Sequence, residues 1–294
     1  MVNRKECPIC DSKKSKIFLE SMDYSTSKEE FVIRECEDCN FRYTSPVPAE
    51  DRIGEYYESE DYISHSDSKK GIMNKVYHVV RNRAIKKKEK LIASFGSGKY
   101  LMDIGCGTGD FLKYCQEKGW DCSGLEPDQG ARSICAEKGV KVDNIDRLHE
   151  VRKESLSVIT MWHVLEHVYH LKRDFEKICS SLTNNGRLII AVPNCSSYDA
   201  QKYGKYWAAY DLPIHLYHFR PADVKRLAIA HDMVVEQIIP MKYDSFYVSM
   251  LSEKYKGGNL INAFFNGWRS NLKANRKSNT YSSQIYVLAK KTSS

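Results

Sequence analysis

A chain of 294 residues, 42% hydrophobic and 28% charged, is long enough for one full-sized domain with a proper core and a small appendage. It holds no low-complexity tract, no evident repeat and no apolar run near the ~20 residues of a membrane helix. Its start, MVNRKECPICDSKKSK, lacks the apolar stretch of a signal peptide, so a cytoplasmic protein is expected. The net charge of +7 is uneven: residues 1–68 carry 9 Lys/Arg against 16 Asp/Glu, residues 69–90 carry 9 against 1, and residues 241–294 carry 9 against 2. A basic face attracts phosphates of any kind and does not choose among them.

In chain order, the first signal is CPIC at 7–10 with CEDC at 36–39. Each C-x-x-C pair can bend two thiolates onto one ion, and two such knuckles complete a tetrahedral site. Cys7, Cys10, Cys36 and Cys39 are therefore expected to hold a structural Zn2+. Between them SKIFLESM and EEFVIREC read as short strands of a zinc ribbon. Metal binding would supply folding energy that so small a unit lacks. The ribbon's acidic balance, made more negative by four thiolates, opposes a nucleic-acid backbone, so it reads as a packing or substrate-capping module. Residues 72–95 read as a basic helix, with Ile72, Val76, Val79, Val80, Ala84 and Leu91 as its buried stripe.

KYLMDIGCGTGDFL, residues 99–112, is the most informative stretch. A short apolar strand, a glycine turn and a helix make the first unit of a doubly wound α/β sheet, with the ligand at the strand's carboxyl end. The dinucleotide fingerprint G-x-G-x-x-G fails here, because its last position is Asp110. Asp103, Gly105, Gly107 and Gly109 suit a cofactor with an amino-acid end: Asp103 can pair with an ammonium group and the loop amides with a carboxylate. Glu126 ends the next strand, WDCSGLEPD, where a carboxylate can accept from both ribose hydroxyls. Together these residues point to S-adenosylmethionine.

The alternation continues. QGARSICAEKG reads as a helix, VKVDNI as the third strand, LSVITMW as the fourth and GRLIIAVPN as the fifth. MVVEQIIPMK and SQIYVLAKK read as an antiparallel pair closing one edge, with a basic, helix-rich insertion between them. MWHVLEHV places His163 and His167 at helical spacing beyond strand four, on the rim where a methyl group would sit. The connection after strand five carries Tyr203, Tyr206, Trp207 and Tyr210 into DLPIHLYHF. Flat amphipathic rings suit a sugar or an aromatic ring, so Tyr206, Trp207 and Tyr210 are the substrate candidates. His215 and His218 would lie over the donor as base and orienter; with His163 and His167 they form the catalytic set.

LMDIGCGTGDFL, GLEPD, VITMWHVLEHV, NNGRLIIAVPN and DLPIHLYHF resemble the class I S-adenosylmethionine-dependent methyltransferases. More closely they resemble the ubiquinone-biosynthesis-type O-methyltransferase superfamily, in a bacterial branch that carries an N-terminal zinc ribbon and is associated with polysaccharide and cell-envelope glycan genes. The resemblance implies an α/β fold, a doubly wound seven-stranded Rossmann-like methyltransferase sheet with a small N-terminal zinc ribbon. It implies adenine contacts at Asn144 and Ile145, and Cys106, Phe111, Pro127, Met161, Trp162 and His163 complete the cofactor-binding set. It also raises the idea that Glu166 with His167 holds a divalent ion, with no third ligand visible in the sequence. In relatives the run reads D-x-P-R-H-L; Ile214 stands here for the arginine, which puts an anionic acceptor in doubt.

The organisation expected is a zinc ribbon at 1–48, a linker and basic cap helix at 49–95, and a methyltransferase domain at 96–294, with a substrate lid at 193–220 and a helical insertion at 244–280. The activity expected is methyl transfer to a small or carrier-linked hydroxyl compound, a sugar or glycan intermediate. The alternatives are an RNA-modifying methyltransferase and C-methylation of a nucleotide-linked sugar. The absence of an NPPY-like or DPPY-like tetrapeptide after strand four argues against the RNA reading.

Overall fold

The computed structural model describes residues 1–57, 72–96, 98–276 and 280–291. Two sheets organise it. The larger has seven strands: β4 (Tyr100–Ile104), β5 (Asp121–Leu125), β6 (Val142–Asp143), β7 (Leu156–Trp162), β8 (Leu182–Pro193), β10 (Met233–Pro240) and β11 (Ser283–Lys290). Their order is β10-β11-β8-β7-β4-β5-β6. The strands from β8 to β6 run parallel, while β11 and β10 run antiparallel at the end of the sheet. Parallel strands covered on both faces read as near-continuous apolar runs. Accordingly every residue of YLMDI after Tyr100 is buried, as is LSVITM.

The helices α2 (Asp110–Glu117), α3 (Gln129–Glu137) and α4 (Leu171–Ser181) follow their strands. The face of α2 that packs inward holds Phe111, Leu112 and Cys115, the positions expected from the sequence. The expected third strand is short. Only Val142 and Asp143 pair with β5; Asn144 then caps a 3-10 turn over Ile145–Glu150 by accepting from the Asp146 amide at 3.2 Å.

The smaller sheet joins parts of the chain far apart in sequence. Its order is β1 (Ser15–Met22), β2 (Glu30–Cys36), β3 (Arg42–Thr44) and β9 (Tyr217–His218). β9 lies inside DLPIHLYHF and pairs with β3, Arg42 opposite His218 and Tyr43 opposite Tyr217. The cysteine-bearing segment and the expected lid are thus one sheet. Phe41 packs on Phe219 and Tyr217 at 5.5 and 6.0 Å, and Arg220 and Arg226 both donate to the Cys39 carbonyl at 3.2 Å.

Two helix expectations need correction. MWHVLEHV is no helix: β7 runs through Trp162, His163 takes a left-handed φ of 58°, and only a 3-10 turn follows, at Leu165–His167. On the basic helix α1 (Ile72–Ala93), Ala84 is exposed and the inward face carries Ile85, Lys88 and Ile92. The rest of the expected stripe differs in standing. Leu91 is half-buried, and the side chains of Ile72, Val76, Val79 and Val80 lie outside the described residues. After β8 come α5 (Tyr198–Tyr203) and α6 (Pro221–Ile229); the insertion between β10 and β11 forms a hairpin of α7 (Asp244–Lys256) and α8 (Leu260–Arg276).

Candidate functional site

The glycine turn stands at the carboxyl ends of β4 and β5. Gly105, Gly107 and Gly109 have φ of 69°, 53° and 75°, a region side chains disfavour. At Gly105 a Cβ would also lie 2.4 Å from the Val164 side chain, so only glycine lets the loop close over the turn after β7. Asp103 is buried and accepts from Thr160 Oγ1 at 2.5 Å; burial pushes its carboxyl up to about 7. Glu126 accepts from the Gly107 amide at 2.8 Å and from the Asp128 amide at 3.1 Å. Burial raises its pKa as well. Two carboxylates therefore meet one loop, each short of solvation and each improved by a cationic or hydroxyl-rich ligand.

Asp110, the acid at the mouth of α2, is not a bare negative charge. Burial would raise it, but Lys138 at 2.7 Å and Arg81 of α1 hold it below the usual carboxylate range. Lys88 of α1 sits with its ammonium 4.3 Å from the Trp162 ring centre. Burial lowers its pKa, while Asp103 and Asp244 pull the other way. The sequence reading assigned α1 an apolar stripe and missed these cations. Their signal was the run of basic residues at 81–90, whose side of the helix periodicity alone does not assign.

Of the other expected cofactor contacts, Trp162 stacks edge-on to Phe111 at 5.8 Å. Cys106, Asn144 and Ile145 are half-buried and Pro127 is exposed. Met161 is fully buried in β7, so its side chain belongs to the sheet core.

The second cluster lies beyond β7. Glu166 is fully buried, and neither carboxylate oxygen receives a hydrogen bond among the described residues. Burial would raise its pKa, but His163 and His215 hold it below the usual range. His163 lies 3.5 Å from Glu166 and 3.4 Å from Asp244, its side chain 36% exposed. Burial disfavours its charge, yet these two acids push the imidazole up to about 10, which favours the charged form.

His167 and His215 are the reverse case. Burial and the neighbouring His215 bring His167 down to about 4, and burial lowers His215. Their rings meet edge to face at 4.6 Å. His167 Nδ1 lies 3.0 Å from the Ile214 carbonyl, with the Tyr57 hydroxyl also at 3.0 Å, and His215 Nδ1 lies 2.9 Å from the Ala209 carbonyl. A carbonyl accepts only, so each Nδ1 carries the proton and each Nε2 keeps a lone pair. Asp211 stands 4.0 Å from His215 Nε2, its carboxyl pushed up to about 6 by burial. Ligand atoms of Glu166, His167 and His215 lie within 4.8 Å of one another. His215 is thus the third group that the sequence did not reveal beside Glu166 and His167.

The structure does not bring His218 to this cluster. It is 3% exposed, its Nε2 lies 3.0 Å from Thr44 Oγ1, and it packs on Tyr210. Burial lowers its pKa far below the usual value. Trp207 and Tyr210 are likewise core residues: Trp207 donates to Asp199 at 2.8 Å and stacks on Tyr210. Of the three expected substrate rings, only Tyr206 is partly exposed.

The four N-terminal cysteines do converge. Cys7 and Cys39 sulfurs lie 3.5 Å apart, Cys10 and Cys36 sulfurs 3.6 Å, and all four lie within 4.8 Å of one another. Sulfurs around a tetrahedral zinc stand roughly 3.8 Å apart, given Zn–S bonds of about 2.3 Å. The set can hold such an ion.

Comparison with known proteins agrees with this architecture. The chain is similar to ubiquinone biosynthesis O-methyltransferase from Nitrosococcus oceani, 26% identical over 180 residues that cover 56% of this chain and 74% of the relative. Its fold resembles magnesium protoporphyrin IX methyltransferase from Synechocystis PCC 6803 with bound SAH, at a TM-score of 0.55 and 12% identity over 82% of this chain and all of that one. It also resembles geranyl diphosphate C-methyltransferase from Streptomyces coelicolor A3(2), at a TM-score of 0.52 and 14% identity over 77% of this chain and 86% of that one. The family model of the methyltransferase domain matches residues 77–238. That match takes in the glycine turn, Glu126 and the Glu166 cluster, and the chain therefore belongs to the methyltransferase-domain family.

Proposed function

We propose that the chain transfers the methyl group of S-adenosylmethionine to a hydroxyl of a small or carrier-linked compound. The donor's ammonium pairs with Asp103 and its ribose hydroxyls donate to Glu126; the amides of Gly105, Cys106, Gly107 and Gly109, expected to meet its carboxylate, already donate to Leu125, Leu125, Glu126 and Cys106. Replacing Glu126 with alanine should weaken donor binding by roughly 1–3 kcal/mol, read by calorimetry beside a thermal melt that checks the fold. Unchanged affinity would remove Glu126 from the donor site.

The observation that carries the acceptor side is His215, whose Nδ1 is turned to the Ala209 carbonyl so that Nε2 is left to act, with its ligand atom within 4.8 Å of the buried Glu166 carboxylate. In this reading the acceptor oxygen attacks the methyl carbon as the carbon–sulfur bond breaks, and the hydroxyl proton passes to His215 Nε2. Glu166 then stabilises the imidazolium so formed.

A second reading rests on the same carboxylate. The buried Glu166 carboxylate has His163 at 3.5 Å but receives no hydrogen bond among the described residues, so it can take a cation, and both histidines are oriented by backbone carbonyls in the manner of metal ligands. A divalent ion held by Glu166, His167 and His215 would act as a Lewis acid on the acceptor oxygen. Labelled-donor assays on a cell extract decide between them. A loss of about tenfold or more after a chelator, restored by an added transition-metal dication such as Mn2+, favours the ion; an undiminished rate favours His215 as base.

The sugar or glycan acceptor loses its main support, because Trp207 and Tyr210 are buried in the core. We keep only the hydroxyl class, and sorting the labelled products into RNA, lipid and small-molecule fractions tests it. Label confined to RNA would end this reading. Zn2+ at Cys7, Cys10, Cys36 and Cys39 is proposed as a structural ion.

A further inference from the structure

The α7–α8 hairpin turns its largest apolar side chains outward. On α8 the residues buried against the rest of the protein are small: Ala263, Gly267, Ser270 and Ala274. A Cβ on Gly267 would stand 2.9 Å from the Phe246 Cα, so close approach of the two helices requires glycine there. The opposite face carries Leu260, Ile261, Phe264, Phe265 and Trp268, between 49% and 70% exposed. Phe264 packs on Phe246 of α7 at 5.5 Å. A helix that buries small residues and exposes large ones inverts the usual amphipathic pattern. Contiguous apolar patches of this kind mark interaction surfaces.

The charges of the hairpin select the partner. Lys256, Arg269 and Lys273 are exposed, and Lys242 is exposed just before α7. The two acids of the segment turn inward: Asp244 to His163 at 3.4 Å, and Glu253, buried, to Tyr203 and Asn266 at 3.1 Å. Exposed charge on the described hairpin is therefore of one sign. Two copies meeting face to face would bring like rims together, whereas an anionic lipid surface satisfies both the apolar stripe and the basic rim. The stripe from Leu260 to Trp268 is about 12 Å of helix, enough to lie in an interface and too short to span one. No described helix is long and apolar enough to cross a membrane.

We infer that the α7–α8 hairpin is a docking face for an anionic lipid bilayer, with Leu260, Ile261, Phe264, Phe265 and Trp268 in the headgroup–acyl boundary and the lysine–arginine rim on the lipid phosphates. The hairpin lies outside the segment matched by the family model, which ends at residue 238. It begins beside the catalytic cluster, since Asp244 contacts His163. Docking in this way would tether the catalytic cluster to the bilayer through one hairpin, which suits an acceptor carried on a lipid. That last consequence rests on the proposed methyl transfer; the docking does not.

The test is sedimentation of the full chain with vesicles, which needs neither donor nor acceptor and so fails or succeeds apart from the enzymatic reading. Binding is expected to vesicles of phosphatidylcholine with phosphatidylglycerol and to be at least about tenfold weaker to phosphatidylcholine alone. A blue shift of tryptophan emission should accompany it, because Trp268 is far more exposed than Trp120 or Trp207. Phe264→Ser and Lys256→Glu/Arg269→Glu should each reduce anionic-vesicle binding about tenfold with little change in melting temperature, since Lys256 and Arg269 are exposed and Phe264 is 60% exposed. No binding at low salt, equal binding by wild type and variants, or a dimer in sedimentation equilibrium that Phe264→Ser dissociates would each overturn the inference.

Discussion

Cys36→Ser is expected to unfold the N-terminal segment and to abolish turnover, although Cys36 lies outside the Glu166–His215 cluster. Structural zinc sites contribute folding energy outright, about 10–16 kcal/mol of apparent binding energy in isolated zinc peptides. Within a larger chain the loss should be smaller, on the order of several kcal/mol, and still exceed most single substitutions. The effect should spread because β3, just beyond the second cysteine pair, pairs with β9 of the DLPIHLYHF segment. The Thr44 hydroxyl also donates to the His215 carbonyl at 2.8 Å. Loss of the metal would therefore loosen the backbone on which His215 is mounted. Urea denaturation and elemental analysis check this together. Wild type should carry about one zinc per chain, as a four-thiolate site requires, and Cys36→Ser should lose the metal, lower the unfolding midpoint and remove activity. A metal-free wild type with the same midpoint as the variant would refute the structural ion.

The second large effect belongs to His215→Ala. General-base catalysis by a positioned side chain is worth about 10²–10⁴-fold, so kcat should fall by that order while donor affinity stays nearly constant. If the cluster instead holds an ion, the same variant should also lose its dependence on the added dication, so the two readings differ in what accompanies the lost rate. The control is His218→Ala. His218 is buried against Thr44 and Tyr210, so its removal should lower the melting temperature and leave the folded fraction active. A His215 variant of full rate would reduce that residue to a spacer, and a His218 variant that melts normally but is inactive would reverse the assignment of the two histidines.

The sequence by itself determined the parts whose chemistry is local. The glycine turn is legible because a left-handed backbone within one strand–turn–helix unit admits few other residues. Glu126 follows from the length of that unit, and the two C-x-x-C pairs announce their geometry through spacing. The alternation of apolar strands and amphipathic helices carried the doubly wound sheet in the same way, down to the antiparallel pair at its end. The tertiary structure alone decided what depends on pairings between distant segments. Nothing in DLPIHLYHF says that its second histidine will lie opposite Arg42, because strand partners are chosen by global packing and not by local period. The same packing makes the run buried and sends His215 toward Glu166 while His218 faces Thr44 of the N-terminal sheet. It also turned Lys88 and Arg81 of a basic helix toward the glycine turn, and the large residues of α8 away from the core. Periodicity reports that a helix has two faces; only the neighbours it meets decide which of them is inside.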